Sequence, residues 1–387
     1  MPSTPLKNLL YRAALPFGAP TPHKQMKHLE TGRALTHLPY YEHLLVKHHV
    51  LGASLLLTDG KDTAQVHTTV YVPRHVAQED TLYRVASITK MATALVTLMC
   101  IGDGLFTLDT PIRQLLPDTE HAAVLDGMTV RHLLCHTSGL RDTEGLDRAL
   151  KNELPYDTLL SDPHIIGSAP GAQMAYCNFG FGLMGCILEH VTGICVSELF
   201  RQRLFAPLGM RAALDASTLN ESQIMPISRV LPYRKGSDVT ITPLGRIPLD
   251  APDPLRHYGH TAGAMYTDAA SLSHLLYLIG GMGVFRGQRL IPEALMAEMT
   301  RQQASTATRV YGLGLVLLDR PGISAHRLLG HQGFAYGCVD GAFIEEGTGR
   351  KVIFLNGGAS EARNGKLGLV NQDVLTWAFR KEFPTWM

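Results

Sequence analysis

The 387-residue sequence has no cysteine pair at CxxC spacing, no uninterrupted apolar run of bilayer length, no internal repeat and no excess of either charge. Each absence removes a class. Six cysteines (Cys100, Cys135, Cys177, Cys186, Cys195, Cys338) stand apart in largely apolar surroundings, which argues against a disulfide framework and for buried free thiols in a reducing compartment. The apolar stretch at Leu9-Leu10-Tyr11 is cut by Arg12, Pro16 and Pro20, so neither a spanning helix nor a signal-peptide core forms, and cytoplasmic residence is the expectation. With 35 basic against 34 acidic residues, no whole-molecule field favours nucleic acid or a membrane, and neither is expected as a partner. No GxSxG elbow occurs either, which removes the common α/β-hydrolase route to an esterase.

What is present suits a large globular unit: 45% hydrophobic and 18% charged residues can bury a sizeable core. Residues 1–35 mix Pro, Lys and His without a sustained period and read as an N-terminal arm with one short helix. Val50 to Leu57, the Asp59-Gly60 turn and Thr63 to Val70 predict two antiparallel strands. A strongly apolar stretch from Met91 to Ile101, ended by Gly102 and Gly104, predicts a buried helix starting at or near Ser87. Helical patterns follow at Val130 to Cys135, Phe179 to Val191, Ser197 to Leu204 and Asp268 to Ile279. Strands return at Leu313 to Leu318, Arg327 to Gly333, Cys338 to Glu345 and Lys351 to Asn356. Strands at both ends and helices between predict a two-lobed α/β (α+β) unit over 36–387: an antiparallel sheet flanked by helices from 36–104 and 255–387, and an inserted all-helical lobe over 105–254. A site at the seam is the natural consequence.

Three short motifs carry chemistry. In Ser87-Ile88-Thr89-Lys90 the i to i+3 spacing at a helix start places a hydroxyl and an amine one turn apart on one face. A serine is a weak nucleophile until a neighbour takes its proton, which a lysine can do where burial disfavours its charge. The plainer alternative is a helix-capping serine followed by a solvated lysine. Tyr176-Cys177-Asn178, just ahead of an apolar helix, offers a phenol as general base and acid and an amide for orienting substrate or Lys90; the alternative is a buried tyrosine with Asn178 as helix cap. His331-Gln332-Gly333 ends a strand. There the N–H of Phe334 can join that of Ser87 as a two-donor oxyanion hole, Gly333 permits close approach, and His331 can donate to substrate or tune Tyr176. A half-exposed strand histidine is the alternative, and a second HxG at His257-Tyr258-Gly259 competes, though without a following hairpin.

Together, SxxK, YxN and HxG in this order resemble the serine β-lactamase and penicillin-binding-protein superfamily, in particular its class C, D,D-peptidase and esterase branches. Supporting stretches are similar too: Tyr83 to Ala86, Asp103 to Asp109 with Pro111, Leu133 to Leu140, Pro207 to Met210 and Tyr311 to Gly314, so the resemblance spans about residues 36–358. It implies Ser87 as nucleophile, Lys90 as its activator, Tyr176 as general base and acid, Asn178 as a substrate-side amide, and His331 to Gly333 as the strand motif. It implies no cofactor and no metal. The His132, Cys135 and His136 cluster has i to i+4 metal spacing, but the resemblance makes these structural residues. One departure matters: His331-Gln332-Gly333 stands where lactamases of this kind carry Lys-Thr-Gly, which weakens the anchor for a substrate carboxylate at neutral pH. The expected substrate is therefore a small ester, amide or D-amino-acid peptide, ahead of penicillins. β-Lactamase or D,D-carboxypeptidase activity, acyl transfer and a non-catalytic binding module are the alternatives. Nothing in the sequence sets an oligomeric state or accounts for its 18 histidines.

Overall fold

The computed structural model describes residues 5–20, 26–70, 75–234 and 236–386. The alternating segments at both ends of the chain build one nine-stranded antiparallel sheet. Its strands are β1 (Lys27–Gly32), β2 (Gly52–Thr58), β3 (Thr63–Thr69), β4 (Ala304–Thr306), β5 (Arg309–Tyr311), β6 (Val316–Leu318), β7 (Leu328–Ala335), β8 (Cys338–Glu345) and β9 (Lys351–Asn356). They lie in the order β1-β3-β2-β9-β8-β7-β6-β5-β4. The two chain ends meet where β2 pairs with β9, Leu55 opposite Phe354.

Strand periodicity of two sends alternate side chains to opposite faces, and each face has its own helical cover. On one side Leu55, Leu57, Val352 and Phe354 pack with α2 (Leu38–Lys47) and the helix Leu369–Trp377, where Tyr41 stacks on Trp377 at 5.4 Å between ring centroids. On the other side Leu56, Ile353 and Leu355 join the larger core. That core includes α3 (Thr89–Gly102), α4 (Asn178–Thr192) and the helix Ala269–Gly280. Residues from the expected helical insertion, such as Leu133, Phe181 and Leu199, belong to this same core as α3.

Two elements differ from expectation. The stretch read as an arm holds the expected helix, α1 (Pro5–Gly18), but adds the edge strand β1, which pairs with β3 from Lys27 opposite Thr69 to Gly32 opposite Ala64. Every position of β1 is exposed or half-buried, so its sequence shows no apolar alternation. The insertion also holds the short strand Ala212–Ala213, which pairs with Tyr266–Thr267, itself paired with Tyr83–Arg84. This small three-stranded sheet fixes the backbone just ahead of Ser87.

Candidate active site

The backbone turns sharply into α3. Ala86 has φ +46°, the left-handed region that a residue with a β-carbon adopts at some cost, and a 3₁₀ turn over Ala86–Ile88 runs on into the helix. Thr89 secures that turn: its Oγ1 donates to Ala86 O at 2.6 Å and accepts from Met265 N at 3.1 Å. Ser87 is left half-buried on a cavity wall, whereas Lys90, one turn on, is fully buried.

Lys90 Nζ lies 2.8 Å from Asn178 Oδ1, 2.6 Å from the Ala262 carbonyl and 3.2 Å from Ser87 Oγ. Burial lowers its pKa to about 7; the Asp142 carboxylate opposes that shift, and the charges of Arg84 and Arg309 add to it. Tyr176 Oη donates to Ser87 Oγ at 2.8 Å, and desolvation holds the phenol above its ordinary value. The serine oxygen therefore sits between an amine and a phenol.

Two further devices, neither visible as a motif, hold these partners. Asp142 caps the N-terminus of α4 from 36 residues upstream, accepting from the backbone N–H groups of Asn178 and Phe179 and from Asn178 Nδ2 at 2.7 Å. This bond fixes which way the Asn178 amide points, oxygen toward Lys90. The Ala262 carbonyl comes from α5 (His260–Gly263), which reaches Lys90 because α4 carries glycine at 182 and 185. A β-carbon at Gly182 would lie 1.7 Å from the Tyr258 carbonyl oxygen, and one at Gly185 would lie 2.6 Å from Thr261 Oγ1. Only the glycine spacing Gly182-Leu183-Met184-Gly185 hints at this close packing in the sequence.

The strand motif divides by face. Gly333 on β7 packs flush against the Val85-Ala86 backbone. Phe334 lines the same cavity as Ser87. His331 is buried with its ring centroid 6.4 Å from that of Tyr176, and Nδ1 donates to the Gln332 carbonyl at 2.7 Å. That tautomer leaves Nε2 an acceptor, so the donor role expected for His331 is not available to it. Burial lowers its pKa to about 3, which keeps the ring neutral. Gln332 points to the opposite face, where Nε2 donates to Lys366 O at 2.6 Å and Oε1 accepts from Gly368 N at 3.0 Å.

Rings surround the phenol. The His136 centroid is 4.3 Å from that of Tyr176, Tyr311 meets His136 edge-on at 5.1 Å, and the Arg309 guanidinium lies 5.1 Å from the Tyr176 ring centre. Desolvation keeps His136 neutral. The candidate metal cluster does not converge: His132 completes the capping box of the helix Val130–Leu134, Cys135 Sγ meets Thr137 Oγ1, and His136 Nδ1 accepts from Cys177 N. The rival His257-Tyr258-Gly259 lies just ahead of α5; Tyr258 and Gly259 line the same cavity as Ser87, but His257 is paired to the buried Glu189 at 2.7 Å. Seven of the histidines among the described residues are buried (His48, His67, His75, His136, His257, His260, His331), so part of the unusual count is core rather than chemistry.

An antiparallel sheet with helices on both faces, a serine-lysine pair at the start of a buried helix and a tyrosine brought in from the insertion define the β-lactamase and transpeptidase fold. The beta-lactamase family model matches residues 39–355, and the chain belongs to that family. It is 26% identical over 341 residues to esterase EstB of Burkholderia gladioli, covering 77% of this chain and 83% of the esterase. It is 27% identical to penicillin-binding protein 4 of Amycolatopsis lactamdurans, covering 83% and 84%. Among solved structures, the D-amino acid amidase of Ochrobactrum anthropi SV3 superposes with a TM-score of 0.65 at 26% identity, covering 84% of this chain and 94% of the amidase. Among the described residues no single helix is long and apolar enough to cross a membrane.

Proposed function

We propose that this protein is a serine hydrolase that cleaves small ester or amide substrates, D-amino-acid derivatives among them, through an acyl-enzyme on Ser87. The observation that carries the reading is the meeting of Ser87 Oγ with Tyr176 Oη at 2.8 Å and Lys90 Nζ at 3.2 Å, on the wall of a cavity of about 860 Å³. The names of the esterase and amidase relatives support it.

The hydrogen bonds favour an order of proton movements. A neutral lysine amine has two N–H donors, and Asn178 Oδ1 and Ala262 O accept both, which leaves its lone pair for the Ser87 proton. With a pKa of about 7, a sizeable fraction of Lys90 is in that form at neutral pH. Tyr176, held above its ordinary pKa, is a phenol rather than a phenolate, so it suits the acid role, giving its proton to the departing alkoxide or amine. Lys90 then restores the phenol, and the same groups run in reverse when water attacks the acyl-enzyme. The N–H groups of Ser87 and Phe334 are the candidate oxyanion donors.

Esters and amides rank ahead of penicillins in this reading because the strand carries no cation. His331 is neutral and Gln332 faces away, so the Lys-Thr-Gly anchor for a lactam carboxylate has no counterpart at this place. The six cysteines, all unpaired and buried, support a reducing compartment such as the cytoplasm. The test is a panel of p-nitrophenyl esters, D-amino-acid amides and a chromogenic cephalosporin with wild type and Ser87→Ala. Short esters should lead the panel and Ser87→Ala should abolish turnover; turnover that persists in the variant overturns the mechanism.

A further inference from the structure

Arg84 lies three residues before Ser87, its backbone fixed by the pairing of Arg84 with Tyr266, and it is among the residues that line the same cavity as the serine. It is only 8% exposed, yet Nε and Nη1 have no hydrogen-bond partner. Its guanidinium lies 5.3 Å from the ring centre of Tyr336, whose aromatic face offers weak compensation only. The buried acid that feels its field, Asp340, makes no ion pair with it; burial lifts that carboxyl to about 8, so Asp340 is largely neutral at pH 7 and leaves the arginine charge uncompensated. Arg229, exposed, lines the same cavity. Exposed acids, Asp147 and Glu153, line it as well.

A desolvated guanidinium with free N–H groups is costly unless an anion completes it, and its planar fork matches a carboxylate two-to-two. The strand that carries the anion anchor in Lys-Thr-Gly enzymes carries none here, whereas this wall does. We propose that Arg84, assisted by Arg229, forms an anion subsite, and that the preferred substrates are half-esters or half-amides of short dicarboxylic acids, their free carboxylate on Arg84 and their other carbonyl at Ser87. The proposal rests on the reading of Ser87 as nucleophile for its substrate geometry, though not for the anion site itself.

Binding and turnover separate the two. Ser87→Ala protein is titrated by calorimetry with monomethyl glutarate and with dimethyl glutarate. The half-ester should bind about tenfold more tightly, as a charge-assisted pair of hydrogen bonds would give, and the preference should shrink with added NaCl. Adding Arg84→Gln should remove that preference, and Arg84→Lys should restore part of it. Equal affinities, or a preference that survives both Arg84→Gln and Arg229→Gln, overturn the subsite. Should Arg84→Gln fail to fold, the half-ester preference in Ser87→Ala and its loss in Arg229→Gln decide the matter. In the wild type, the ratio of kcat/KM for the p-nitrophenyl half-ester of glutarate to that for p-nitrophenyl butyrate is measured alongside. Half-ester binding without turnover of either ester sinks the hydrolase and leaves the anion site standing; equal turnover of both with equal binding does the reverse.

Discussion

Gly333 and Val85 touch where no side chain fits: a β-carbon on Gly333 would lie 2.3 Å from the Val85 carbonyl oxygen and 3.2 Å from Ala86 Cβ. The strand and the turn that presents Ser87 are thereby held at backbone contact. Because Ala86 is already in the left-handed region, the turn has little freedom to retreat.

Gly333→Ala should therefore push β7 away from the Ser87 turn and misplace Phe334 relative to the nucleophile. A shift of about an ångström costs roughly 100-fold in a positioned reaction, so kcat for a p-nitrophenyl ester should fall by about that factor. The variant is expected to melt lower but to keep the far-ultraviolet dichroism of the folded chain. Wild-type kcat in a folded Gly333→Ala protein would show that the close contact is not needed for turnover.

The leaving group tests Tyr176. A p-nitrophenolate departs without a proton, whereas an alkoxide or amine needs one. Tyr176→Phe should lower kcat/KM for a D-amino-acid amide or an ethyl ester by about 10²–10⁴ but affect p-nitrophenyl esters distinctly less. Equal losses on both kinds of substrate would remove the phenol from the protonation step and make it a positioning residue for Ser87.

How far the sequence carries depends on whether a signal is local. Ser87 and Lys90 are three residues apart on one helix, so spacing alone puts them together, and the β7–β8 hairpin reads from its alternation. Gln332 reads from the sequence, together with His331, as part of the site motif, whereas strand alternation sends its side chain to the opposite face from His331 and Gly333. The helices Leu38–Lys47 and Leu369–Trp377 give a weaker local signal, because their buried side chains find a partner only on the outer face of the sheet. Asp142 and the Ala262 carbonyl are different in kind. One is a lone carboxylate whose target lies 36 residues away, and the other is a backbone atom that no residue type advertises.

Gln332 has a structural consequence of its own. Its amide satisfies Lys366 O and Gly368 N, the second of them buried, and thus straps the segment before the C-terminal helix to β7. Truncation in Gln332→Ala leaves both backbone groups without that partner, and stability should drop by about 1–3 kcal/mol in urea unfolding. An unchanged midpoint would mean that water replaces the amide at no cost.

Lys90 links activity and stability through one proton. In the folded chain its pKa is about 7, against 10.5 for an ordinary lysine, because burial disfavours the ammonium. Activity that needs the free amine should rise with pH through about 7, and a kcat/KM profile for a p-nitrophenyl ester reads this directly. The stability effect follows the same depression. Above the ordinary lysine value neither state holds the proton and nothing is lost. As pH falls toward 7 the unfolded chain takes up a proton that the folded chain refuses, so stability is lost progressively, and below the folded pKa the full penalty is present. Lys90→Met, which fills the same space without a charge, should therefore abolish turnover yet stabilise the fold near neutral pH, by an amount on the order of a few kcal/mol. The difference in melting temperature between variant and wild type should be largest at and below pH 7 and shrink as the pH approaches the lysine range. A difference that stays constant with pH would show that Lys90 is not desolvated as its surroundings require, and the same result would remove the free amine from the proton path of Ser87.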